Sequence, residues 1–110
     1  MRNNPFAHAK PVETKTFPLP QYYPGLSSSS RRLVRQQYEQ LQEGKCHYCK
    51  LKFGLAPPFN PNAINWRAFP GGQSRFLRYP IHLHHDHNTG MTIGAVHALC
   101  NAILWQVHGE

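Results

Sequence analysis

Acidic residues are scarce in this chain, which has five aspartates and glutamates among its 110 residues. Asp86 is the only aspartate, and the four glutamates are scattered from Glu13 to Glu110. A hydrolytic site with two metal ions is commonly built from clustered carboxylates, so this sequence is poorly suited to forming one. Any catalytic metal ion would therefore have to be held by histidine and amide ligands.

Cysteines are also few, and long apolar runs are missing. The three cysteines cannot all pair in disulfides, no signal-peptide pattern opens the chain, and Cys46 and Cys49 form a C-x2-C pair. These features favour a structural metal site over a disulfide framework and predict a reducing, cytoplasmic environment. No apolar run approaches the roughly 20 residues of a membrane span, so we expect a soluble protein.

Basic residues, by contrast, are in clear excess. Twelve Lys and Arg against five acids give a formal charge of +7, which should attract a polyanion, and nucleic acid is the first candidate. The alternative is a small basic protein whose charge only keeps it in solution. A chain of 110 residues is long enough for one small domain. The core of such a domain is small and needs additional stabilisation, for example from a bound metal ion.

Residues 1–30 are rich in proline and end in a run of serines. This composition predicts an extended arm, either a disordered tail or a segment that wraps the domain or lies along DNA. Residues 31–110 are predicted to form the folded domain. It should begin with a helix from Arg31 to about Glu43, with Ser30 as N-cap and Gly44 at the C′ position. The apolar face of this helix is expected to carry Val34, Tyr38 and Leu41.

The second half of the domain is predicted to contain short strands and then a helix. The prolines of residues 56–72 indicate a long loop, and Asn88-Thr89-Gly90 indicates a turn. A helix is expected from about residue 97 to 107, where Pro and Gly are absent. Alternating side chains predict strands at 75–79, 81–84 and 91–95.

Two residue pairs with ligand spacing predict a structural zinc site. Cys46 and Cys49 form the first pair, while His97 and Cys100 are three apart and would point to the same side of a helix. Together they make a closed tetrahedral Cys3His set. His47, inside the C-x2-C knuckle, is an alternative to His97 as the fourth ligand. The metal-free alternative is a buried Cys100 thiol and a surface His97.

The cluster His84-His85-Asp86-His87 stands directly before the predicted turn. If His84 ends a strand, its imidazole and the amide oxygen of Asn101 could share one divalent cation. His85 would face the other way. An imidazole, with an ordinary pKa of about 6.5, can accept a proton from an attacking water near neutral pH. A lone histidine is more often a surface or core residue, but clustering favours a chemical role.

In these residues the chain resembles the His-Me finger, or HNH, nucleases, and most closely the phage recombination endonuclease VII group. That group's pattern runs approximately D-H-D-H-x-T-G and then G-L-L-C-x-x-C-N. Residues 84–90 and 94–101 match it, with Cys46 and Cys49 as the upstream zinc ligands, so the resemblance covers about residues 45–105. It implies an α+β domain of the ββα-metal fold with a structural zinc. The implied activity is hydrolysis of DNA phosphodiester bonds with one catalytic divalent ion, Mg2+ or Mn2+.

The resemblance also implies a role for each histidine of the cluster. His85 corresponds to the general base, and His84 and Asn101 correspond to the ligands of the catalytic cation. His87 matches a family histidine that we interpret as a phosphate contact or an auxiliary ligand. Two positions differ from the family pattern, because His84 replaces an aspartate and His97 replaces a zinc cysteine. The first change leaves neutral ligands for a hard cation, so Mg2+ should bind weakly until phosphate arrives, and softer ions should also work.

Duplex DNA is the expected partner. The long C-terminal helical region of the endonuclease VII group is missing after Asn101, so we expect a monomer or a pair that forms on DNA. The alternative function is a zinc-stabilised nucleic-acid-binding protein without catalysis, and RNA is an alternative substrate. The candidate DNA-contacting residues are Arg31, Arg32, Arg35, Arg67, Arg75 and Arg78.

Overall fold

A β-hairpin lies between two helices in the computed structural model, which describes residues 16–109. The strands form one two-stranded antiparallel sheet, so this part of the chain is a small α+β protein. None of its helices is both long and apolar enough to cross a bilayer. The elements in chain order are α1 (Ser28–Leu41), α2 (Gly72–Phe76), β1 (Ile81–His85), β2 (Thr92–His97) and α3 (Ala98–His108).

Helix α1 begins earlier than predicted because Ser27, not Ser30, is its N-cap. The Ser27 Oγ accepts the backbone N–H of Ser30 at 3.2 Å, which satisfies one of the free donors of the first turn. Val34 and Tyr38 are buried as predicted. The prediction for Leu41 is wrong, since its side chain is 67% exposed at the last turn of the helix.

A Schellman motif ends α1. The backbone N–H of Gly44 donates to Glu39 O at 2.9 Å, and that of Glu43 donates to Gln40 O at 3.0 Å. Glu43 therefore occupies the C′ position that was predicted for Gly44, and it adopts the left-handed conformation with φ of 58°. Gly44 follows it with φ of 75°.

Strand β2 joins the two sides of the core. Ala95 packs with Val34 and Tyr38 on the α1 side. Val96, the next residue, packs with Cys100 and with Leu104 of α3. Successive side chains of a strand point to opposite faces, so β2 can contribute to both clusters at once.

The free edge of β2 is covered by polar groups of the segments before it. The Gln42 side chain accepts the N–H of Ala95 and donates to its carbonyl, both at 2.9 Å. Gln21 exchanges backbone and hydroxyl hydrogen bonds with Thr92, each at 2.8 Å. These contacts satisfy backbone groups that a two-stranded sheet would otherwise leave unpaired.

The N-terminal segment of the described chain packs on the domain. Phe17, Leu19 and Leu26 lie against the Val34–Tyr38–Ala95 cluster. The predicted arm of residues 1–30 thus includes a described part that wraps the domain. Its residues 1–15 lie outside the described residues.

One predicted strand is wrong. Residues 75–79 do not pair with the hairpin, and their first part belongs to the short helix α2. Phe76 packs edge-to-face on Phe69, with ring centroids 4.9 Å apart, within a cluster that includes Ile64 and Ala102 of α3. Aromatic burial against α3 determines the path of the chain here, because the local alternation of side chains has no strand partner to stabilise it.

Candidate active site and metal centre

Four side chains converge where the knuckle meets the junction of β2 and α3. The ligand atoms of Cys46, Cys49, His97 and Cys100 all lie within 4.8 Å of one another. His97 Nδ1 is 3.4 Å from the Cys49 Sγ and 3.8 Å from the Cys100 Sγ. Tetrahedral zinc with ordinary Zn–S and Zn–N distances requires S···N separations of about 3.5 Å. The residues present therefore fit a structural metal ion such as zinc, as predicted.

The second nitrogen of His97 fixes the ring for metal binding. Nε2–H donates to the carbonyl oxygen of Leu55 at 2.8 Å. This hydrogen bond leaves the lone pair on Nδ1, which faces the cysteines. Histidines that bind metal ions commonly hold their other ring N–H in this way.

Backbone donors from the knuckle and from the end of β2 point at one sulfur. The N–H groups of Tyr48, Cys49 and His97 point at the Cys46 Sγ at 3.4, 3.5 and 3.4 Å. A hydrogen bond from Cys100, helped by these donors and opposed by burial, lowers the pKa of Cys46, and the same bond raises the pKa of Cys100. Burying several thiolates together is unfavourable without a positive charge between them, so a cation would complete the cluster.

His47 is not a member of this group. Its side chain is exposed and lines a separate cavity with Tyr48 and Lys50, while its backbone N–H donates to Ala95 O at 2.9 Å. In the described chain His97, and not His47, therefore lies with the three cysteines.

A cavity of about 800 Å³ opens between α1 and the hairpin. His85 and Asn101 both line it, together with His82 of β1. They come from different elements, since His85 ends β1 and Asn101 lies in the first turn of α3. The fold thus brings two of the predicted catalytic residues to one opening.

The pairing of the hairpin is irregular at the end of β1, next to His85. His84 pairs with Gly94 and His85 with Thr92, so Ile93 is the extra residue of a β-bulge. A bulge changes the direction of the side chains that follow it. His84 and His85 are neighbours in β1, where successive side chains point to opposite faces, and they line different cavities.

The surroundings of His85 favour its neutral form. Burial lowers its pKa, and the positive charges of neighbouring groups, His87 and His84 first among them, lower it further. A backbone hydrogen bond to Leu83 opposes this decrease. A neutral imidazole at the edge of a cavity can accept a proton from a bound water.

His82 was missed by reasoning from the sequence. The Asn101 amide Nδ2 donates to His82 Nδ1 at 3.0 Å. Burial lowers the pKa of His82, which keeps this nitrogen available as an acceptor. Its i, i+2 spacing from His84 would group it with His84 instead, and the two histidines line different cavities, so no local pattern indicated this contact.

The other two histidines of the cluster, His84 and His87, lie in different surroundings. His84 is only 3% exposed and lines a second cavity with Leu104 and His108 of α3. His87 is exposed, with its ring centroid 4.9 Å from that of His85 and 5.9 Å from that of Trp105. The assignment of His84 and Asn101 to one cation stays a prediction.

The candidate DNA-contacting arginines fall into two groups. Three of them, Arg31, Arg32 and Arg35, line the cavity of His85. Arg35 also forms the i,i+4 ion pair with Glu39 at 2.9 Å, which offsets part of its charge. The remaining three are exposed but do not line this cavity, namely Arg67, Arg75 and Arg78.

Comparison of the chain with protein-family models, curated proteins and solved structures finds no match. The site itself is therefore the basis for inferring function.

Proposed function

We propose that this protein is a divalent-metal-dependent HNH-type endonuclease, with a ββα-metal fold and a structural zinc, that hydrolyses phosphodiester bonds in DNA. The observation that carries the proposal is the shared cavity of His85 and Asn101 beneath the arginines of α1. A strand-end histidine and an amide from the following helix are the residues that such a reaction needs for proton transfer and cation binding. The sequence pattern over residues 84–101 supports the same assignment.

His85 is the proposed general base. Its neutral imidazole accepts a proton from water as the water oxygen attacks phosphorus. The bond between phosphorus and the leaving sugar oxygen breaks, and that oxygen takes a proton from solvent. Because burial lowers the pKa of His85, the base should stay competent somewhat below the pH at which an ordinary histidine becomes protonated.

Asn101, which lines the cavity of His85, is the proposed ligand of the catalytic cation; His84, its expected partner, lines a different cavity and would have to approach Asn101 for the two to share the ion. Since the Asn101 Nδ2 group donates to His82, its Oδ1 atom is the one left to face a cation. Bound Mg2+ or Mn2+ would stabilise the negative charge that develops on the phosphate and the leaving oxygen. His82 then has a supporting role, because its hydrogen bond decides which end of the amide faces the cavity.

The arginines of α1 are proposed to hold the DNA backbone. Arg32 is exposed and lines the cavity without a described acidic partner. Phosphate contacts of this kind fix the orientation of DNA and make binding fall steeply with salt. His87, exposed beside His85, is positioned to serve as an additional phosphate contact.

Plasmid cleavage tests the proposal. Supercoiled DNA incubated with zinc-loaded protein and Mg2+ or Mn2+ should be nicked or cut. His85→Ala should reduce the rate by about 10²-fold or more, the range expected for loss of a general base, with zinc content unchanged. Asn62→Ala is the control, because Asn62 is exposed and lines neither the cavity of His85 nor that of His84, so it should keep full activity.

Three outcomes have different meanings. DNA left intact by the wild-type protein with every divalent ion tried would overturn the catalytic assignment. Retarded migration of that intact DNA would favour the zinc-stabilised binding protein instead. Cleavage of RNA in preference to DNA would keep the chemistry and correct the substrate.

Comparing His84→Ala with His82→Ala for Mn2+ binding decides which histidine of β1 is the ligand.

A further inference from the structure

Three side chains form a continuous stack at the edge of the cavity. The rings of Tyr23 and His85 are nearly parallel, with centroids 3.9 Å apart and planes inclined by 8°. The guanidinium carbon of Arg31 also lies 3.9 Å from the Tyr23 ring centroid. Two groups at this distance cannot occupy the same face of a ring, so Tyr23 lies between Arg31 and His85.

Backbone hydrogen bonds hold Tyr23 in this place. Its N–H donates to Gly90 O at 2.8 Å, across the turn that follows His85. The Arg31 Nε and Nη2 atoms donate to Tyr23 O at 3.3 and 3.1 Å. Tyr23 is thus joined both to the hairpin turn and to α1, and its ring position is set by the fold.

We propose that Tyr23 is a positioning residue, which fixes the ring plane of His85 for proton transfer; the catalytic part of this proposal rests on the proposed function. His85 is the last residue of β1 and lies beside a bulge. An imidazole there could rotate about χ2, which has a broad energy profile. The parallel Tyr23 ring restricts that rotation and covers one face of the imidazole, which lines the cavity.

The stack also assigns a separate role to Arg31. Its guanidinium is engaged by the Tyr23 ring and carbonyl, so it clamps the N-terminal segment. The segment that composition alone describes as an arm is therefore part of the candidate active site.

Two substitutions distinguish the effect of the aromatic ring of Tyr23 from the effect of its size. Tyr23→Phe keeps the aromatic face, whereas Tyr23→Leu keeps a large apolar side chain without it. We expect kcat on plasmid DNA to fall about 3- to 10-fold in Tyr23→Leu, the effect of losing one aromatic pair, with little change in KM. Tyr23→Phe should restore most of the rate. Tyr22→Leu is the control, because Tyr22 is in the same segment and is 56% exposed.

Proton NMR of the histidine rings gives a readout that needs no activity. In zinc-loaded wild-type protein the ring protons of His85 should be shifted upfield by the face of Tyr23. Tyr23→Phe should keep that shift, Tyr23→Leu should lose it, and Tyr22→Leu should leave it unchanged. His85→Ala identifies the signals by their disappearance.

The two readouts distinguish failure of the positioning role from failure of the function. If the wild-type protein is inactive but its His85 ring protons are shifted upfield as expected, the nuclease proposal is overturned and the placement of the Tyr23 ring is kept. An active wild-type protein whose rate is unchanged in Tyr23→Leu would overturn the positioning role and keep the nuclease. His85 signals with no upfield shift in the wild-type protein would refute the stack itself.

Discussion

Gly90 lies in the hairpin turn, in contact with the N-terminal segment. Its φ is +79°, and a Cβ atom built on it would lie 2.7 Å from the Tyr22 Cε1 atom and 3.3 Å from the Pro24 Cδ atom. Gly90→Ala should therefore impose two penalties, left-handed backbone strain and a steric conflict with the segment.

Gly44→Ala separates these penalties, because Gly44 has nearly the same φ of +75° with no atom within 4 Å of its built Cβ. Left-handed strain in a residue other than glycine costs about 1–2 kcal/mol, and this applies to both variants. Overpacking adds about 1–3 kcal/mol, and this applies to Gly90→Ala alone. We thus expect Gly90→Ala to be the less stable variant by about 1–3 kcal/mol.

Urea unfolding of the zinc-loaded proteins measures this difference. With an m-value of about 1–3 kcal/mol per molar urea, the midpoints of the two variants should differ by on the order of 1 M. Tryptophan fluorescence and circular dichroism should give coincident transitions for the comparison to hold. Equal midpoints would refute the reasoning, since they would mean that the N-terminal segment does not press on the turn.

Two further predictions concern the metal centre and the hairpin turn. Purified protein should contain one tightly bound zinc ion, which elemental analysis measures. Removal of the ion by a chelator, or Cys49→Ser, should strongly lower the midpoint of thermal unfolding. His47→Ala, the control, should keep both the zinc content and the thermal midpoint. Asp86 Oδ1 accepts the N–H groups of Asn88 and Thr89 at 2.7 and 3.0 Å, and these bonds lower its pKa below the ordinary 3.8. The stability it contributes is therefore present above its unfolded pKa and is lost as the pH falls through the lower folded value. The difference in thermal midpoint between wild type and Asp86→Ala should shrink from about pH 5 downward, and a difference that stays constant would contradict this account.

Much of the hairpin and of the metal centre could be predicted from local patterns. Cys46 and Cys49, then His97 and Cys100, are spaced so that each pair can share one ion whatever the rest of the chain does. The turn after His87 could also be predicted, because its residues favour tight turns through their own hydrogen bonds and backbone freedom.

Local patterns failed where distant packing decides the outcome. The alternation in residues 75–79 resembles a strand, but Phe76 is drawn into an aromatic cluster with Phe69. Leu41 has the spacing of a buried residue and is exposed, because the helix ends there. At residues 75–79 contacts far apart in sequence outweigh the preference of the segment, whereas at Leu41 the end of the helix decides.

The sequence by itself determined which chemical groups are available: a Cys3His set with zinc spacing, a histidine cluster before a turn, and a large excess of positive charge. Only the tertiary structure decided which of these groups meet. It joins Asn101 to His82 and Tyr23 to His85, pairs that are 19 and 62 residues apart in the chain (101 − 82 and 85 − 23). Such pairings depend on the packing of α3 and the hydrogen bonds of the N-terminal segment, which no short-range pattern encodes.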